Sequence, residues 1–132
     1  MYVAIAQATE AEAVAHEAAA RAAFERESER VWGAMEAQVW EIFEMFDTKR
    51  EGRLDKAAYQ RYLRGIGFWG TGSCTDAGWD EEWPKQCGHA GGARAGSKPD
   101  TGVTREGFKV LYIEHRATKV AADLASCRAN GY

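Results

Sequence analysis

Three cysteines among 132 residues, Cys74, Cys87 and Cys127, are too few and too irregularly spaced for a disulfide framework. Reduced thiols are the expectation, with one bridge between two of them as the other reading. No C-x-x-C pairing accompanies His89, so structural zinc is not expected. Basic charge is also missing: 17 Lys and Arg stand against 20 Asp and Glu, for a net charge of −3. That excludes the phosphate-neutralising surface of a nucleic-acid partner. No window reaches the ~18–20 consecutive apolar residues that cross a bilayer, so the chain is not expected to span a membrane. The first seven residues are apolar but too short and too uncharged for a secretory signal. The expected location is soluble and intracellular, cytoplasmic or, had a targeting segment been removed, organellar. No phosphate-cradling glycine loop is found, and no base stands in an obvious relation to a nucleophile. Cys87 and His89, two apart at a helix end, are poor material for nucleophilic catalysis, so no enzyme is expected.

What the chain does have is helical periodicity. Residues 1–30 are dense in alanine and glutamate, strong helix formers, and Thr9 with Glu12 fits a capping box. Beyond the apolar first seven residues only Val14 and Phe24 are large on that stretch, so it reads as a helical arm beside the core. His16 on it is expected to be solvated. From Val31 the stripe thickens through Met35, Val39, Ile42, Phe43 and Phe46, which predicts an amphipathic helix ending at Asp47. A second helix is expected over 56–64 with Asp55 as N-cap. A third should start near Asp80, with Pro84 in its first turn. A fourth is expected from Thr104 to about Cys127, carrying His115 at the edge of the core. No long alternating strand pattern occurs, so the fold class is all-α.

The segment "FDTKREGRLD", Phe46 to Asp55, has an aspartate, then a glycine five residues on, then an aliphatic residue two later. With helices on both sides, residues 39–64 resemble an EF-hand. The resemblance puts Asp47 at the first loop position, Gly52 at the sharp turn and Leu54 at the aliphatic position. Phe43, Phe46 and Tyr59 fall in the flanking aromatic slots. The ligand positions depart from the pattern, because Lys49 stands at the third position and Ala58 at the twelfth. Asp47, Glu51 and Asp55 are the only carboxylates, and the net charge over residues 47–58 is about +1. Neither calcium nor another cofactor is expected, and Lys49 is expected to lie across Asp47 and Asp55 as a counter-ion. A second, more divergent copy is similar over "KPDTGVTREGF", with Val103 at the aliphatic position and Phe108 at the aromatic one. Asp100 is its vestigial carboxylate, Lys98 takes its third position, and Gly107 replaces the closing acid. The resemblance therefore implies a paired EF-hand behind a long Ala-rich helix, with Leu54 and Val103 pairing across the loops. Its divisions are an arm over 1–30, a first hand over 31–65, a spacer over 66–79 and a second hand over 80–127.

The spacer carries Phe68, Trp69 and Trp79, and Trp83 follows four residues on. It is similar to a Trp-rich segment of EF-hand-like proteins from unicellular algae and other protists. These rings, with Trp32 and Trp40, are either partner-binding residues, since Trp is enriched at interface hot spots, or rings that enlarge a small core. The functional expectation is a non-catalytic interaction or structural subunit in a larger assembly, holding a protein partner or a second copy of itself. The alternative is a weak or atypical calcium sensor using acids outside the loops, such as Asp76, Asp80, Glu81 and Glu82.

Overall fold

The computed structural model describes residues 2–132, with side chains described from residue 10 onward. It is mostly helical: α1 (Tyr2–Phe46), α2 (Lys56–Gly65), α3 (Trp79–His89), α4 (Arg105–His115) and α5 (Val120–Ala129). A 3-10 turn over Gly92–Ala95 and two short strands, β1 (Arg53–Leu54) and β2 (Val103–Thr104), complete it. The helix runs through Thr9 without a start there; the Thr9 side chain lies outside those described. The chain divides into two compact units between Ala34 and Met35.

In the first unit the helix is solvated on most faces. His16 is exposed, and Val14 and Phe24 are 67% and 73% exposed. Alanine and glutamate supply helix propensity there and little to bury.

In the second unit the apolar stripe of α1 becomes core. Val39, Ile42, Phe43 and Phe46 are fully buried with Leu54, Tyr59, Tyr62, Val103, Phe108 and Tyr112. Each such side chain stabilises by about 1.5–3 kcal/mol. Edge-on ring pairs set their angles: Phe43 meets Phe108 at 5.4 Å, and Phe108 meets Tyr62 at 5.0 Å. The loops after α1 and before α4 meet through β1 and β2, antiparallel, with Leu54 opposite Val103 and Arg53 opposite Thr104.

Each strand hands over directly to a helix through a capping side chain. Asp55 Oδ1 accepts the Ala58 amide at 2.8 Å to start α2. Thr104 Oγ1 accepts the Gly107 amide at 2.9 Å to start α4.

Two expectations need correction. Pro84 is the sixth residue of α3, in its second turn, where it removes an amide that would have bonded the Asp80 carbonyl. The expected fourth helix is two helices, broken at residues 116–119. The turn brings Asp123 back against Arg116 and Tyr112. Beyond it α5 returns to the end of α2, where Ser126 Oγ and Asn130 Nδ2 both donate to the Gly65 carbonyl. A Cβ at Gly65 would come within 2.9 Å of Phe46, so glycine permits that approach.

Candidate functional site

In the first loop Asp47 is buried, and backbone amides occupy both of its carboxylate oxygens. Oδ1 accepts from Glu51 N at 3.0 Å and Oδ2 from Gly52 N at 2.9 Å. The turn this closes needs left-handed backbone at Arg50 (φ 53°) and Gly52 (φ 75°), the second of which glycine adopts without penalty. Lys49 Nζ donates to Asp55 Oδ2 at 3.1 Å. The lysine thus hydrogen-bonds Asp55, while the Asp47 oxygens accept the two backbone amides. The Asp55 carboxyl is held below its usual range, first by the Ala58 amide and then by Lys49. The Lys49 ammonium is correspondingly raised by Asp55. Among the described residues no group of three or more His, Cys, Asp or Glu is placed to hold a metal ion.

The second loop is closed without a carboxylate. Lys98 and Gly102 form an isolated antiparallel bridge, the Gly102 amide reaching Lys98 O at 2.7 Å. Ser97, buried, accepts from the Thr104 amide at 3.3 Å, and Thr104 Oγ1 donates to Ala95 O at 2.6 Å. Asp100 is exposed in the turn.

Beside the loops lies an open groove of about 480 Å³ bounded by α2, the 66–74 segment, α3 and α4. Its apolar side is Tyr59, Leu63, Ile66, Phe68 and Leu111; Glu82, Gln86, His89, His115 and Arg116 supply the polar side. A volume of this order, mostly apolar with a few convergent polar groups, is typical of binding sites.

A buried hydrogen-bond chain underlies the groove. Tyr112 OH donates to Asp123 Oδ2 at 2.7 Å, so the 2.9 Å contact between Tyr62 and Tyr112 has Tyr62 as donor. Arg116 grips Asp123 with Nε and Nη2, both at 2.7 Å. Burial raises the Tyr62 and Tyr112 phenols well above their ordinary value, and Asp123 raises the Arg116 guanidinium. Sequence reading missed this network and the groove positions Leu63, Ile66 and Leu111. Their helical spacing was visible, but Asp123 reaches Tyr112 and Arg116 from across a turn that no glycine or proline announces.

The aromatic candidates divide by burial. Trp79 and Trp83 are 5% and 3% exposed. Trp79 stacks on Tyr59 at 6.4 Å and meets Trp69 edge-on at 5.3 Å, and Trp83 Nε1 donates to Pro99 O at 2.9 Å. These rings enlarge the core. Trp32 is also buried. Trp40 and Trp69 are half-buried, each beneath an arginine: Arg105 lies 4.3 Å from the Trp40 ring and Arg64 lies 4.9 Å from Trp69. Phe68 is 40% exposed on the groove.

All three cysteines are free and buried. Burial pushes the Cys87 and Cys127 thiols up to about 11, and raises Cys74 as well. Thiolate is scarce at neutral pH under those conditions. No family model, curated protein or solved structure matches the chain.

Proposed function

We propose that the chain is a non-catalytic interaction or structural subunit built on a calcium-independent EF-hand pair, taking a segment of a protein partner in its groove within a larger assembly. The observation that carries this reading is the state of the first loop. The carboxylate that would begin cation coordination accepts two backbone amides, and a lysine holds the last carboxylate of the loop, Asp55. A loop closed on itself turns the chain and positions β1 against β2. The groove is the surface left open, and its apolar side with exposed Phe68 suits an amphipathic helix laid against it. High thiol pKa values support a role without nucleophilic chemistry.

The test is native size fractionation of an extract, following the wild-type chain and a Phe68→Asp variant. Wild type is expected in a large particle with fixed companions, and the variant, helical by circular dichroism, is expected to be released. Wild type running alone near 14.6 kDa would overturn the reading. Tryptophan fluorescence during calcium titration addresses the sensor alternative: an ion-dependent change at micromolar calcium would favour that alternative.

A further inference from the structure

His89 and His115 are the last residues of α3 and α4, and both stand on the rim of the groove. Both are exposed. Their ring centroids are 5.4 Å apart with planes at 77°. No hydrogen bond to either ring is present among the described residues, so ring nitrogens remain available.

We propose that His89 and His115 form a two-nitrogen site for a divalent transition-metal ion of the zinc class, open at its other positions. Geometry supports it first. Zinc binds imidazole nitrogen at about 2.0–2.1 Å with tetrahedral angles, which puts two rings on one ion with centroids about 5 Å apart. The observed centroid separation of 5.4 Å is close to that value.

Electrostatics supports it independently. Both histidines lie in the last turn of a helix, where the partial charge of the carbonyl ends is negative and favours a cation. Glu114 Oε2 lies 3.9 Å from His115 Nε2 and adds negative charge beside that ring. Glu82 faces the groove from α3. Among the described residues the one cation lining the groove, Arg116, is neutralised by its two-point bond to Asp123. Imidazole suits zinc, copper and nickel and not calcium or magnesium, so this site is separate from the loops in place and in ion preference. No third His, Cys, Asp or Glu among the described residues completes the shell. Water or a group entering the groove fills it, which makes the ion exchangeable and unlike a closed structural site.

The experiment is titration of the intact chain with Co²⁺ and Zn²⁺, read by the cobalt visible spectrum and by calorimetry. One equivalent is expected to bind in the micromolar range, with no competition from Ca²⁺. His89→Ala and His115→Ala should each weaken binding by about tenfold or more, and His16→Ala should leave it unchanged. The ring-proton resonances of His89 and His115 should broaden with Co²⁺ in the wild-type chain, a readout that needs no variant. Absence of binding, binding that survives both substitutions, or an intense thiolate-to-cobalt band placing the ion on Cys74 would each overturn the proposal. It does not depend on the docking reading, since the ion is tested on the isolated chain.

Discussion

The first loop is closed by charged side chains, Asp47 accepting two amides and Asp55 capping α2. The second reaches the same strand pair with neutral groups, a Lys98–Gly102 backbone bridge, Ser97, and Thr104 as the cap of α4. One register, Leu54 opposite Val103, is thus held by two different chemistries. What the sheet requires is a turn of fixed shape with its amides satisfied, and carboxylates are one of several ways to supply that. The difference also marks where each loop is vulnerable: the first depends on an acceptor, the second on the absence of a side chain.

The largest effect that would sharpen this contrast comes from alanine at one glycine in each loop. A Cβ at Gly102 would sit 2.4 Å from the Leu54 carbonyl oxygen, on backbone at φ +107°, whereas Gly52, at φ +75°, has open space around it. Gly102→Ala should cost at least about 3 kcal/mol, and Gly52→Ala about 1–2 kcal/mol from backbone strain alone. Denaturant unfolding of both variants measures it, and equal costs would break the contrast. Asp47→Ala comes next: it orphans two amides and should cost about 2 kcal/mol or more, by the same measurement.

A smaller effect concerns acid. The Asp55 carboxyl is lowered in the folded state, chiefly by the Ala58 amide. Its contribution is therefore present above the unfolded value of 3.8 and is lost as pH falls through the lower folded value. The side chain is 39% exposed, so solvent screens part of this. Asp55→Thr keeps a cap but cannot titrate, and should flatten the fall in melting temperature between pH 5 and about pH 2. An unchanged acid limb would show that other carboxylates dominate. The smallest effect is expected from Lys49→Ala, since that ammonium is solvated and its hydrogen bond goes to a half-exposed Asp55. Its melting temperature should move less than that of any variant above.

These loops also show what could be read from the chain beforehand. Residues whose role is local were legible. Asp47, Gly52, Leu54 and Asp55 declare themselves by spacing, and the cap at Asp55 follows from side-chain reach. The stripe from Met35 to Phe46 was legible because burial and period coincide there. The Lys49 expectation was half right: the Asp55 contact exists, while Asp47 is taken by amides whose direction only the folded turn sets. The break at 116–119 was hidden because Ala117, Thr118 and Lys119 carry no strong punctuation, and the turn is stabilised by Asp123 from beyond it. The groove was hidden for a related reason, since its walls come from four segments that no single periodicity links.

The chain of buried phenols has an optical consequence. A tyrosine in water ionises near pH 10, but Tyr59, Tyr62 and Tyr112 are all raised by burial. Above that pH the unfolded chain releases protons that the folded one retains, so stability falls as alkali is added. The ultraviolet band of the phenolate then becomes a built-in reporter. Its late, steep rise in an alkaline titration would mark the moment the core opens, with no dye or label attached.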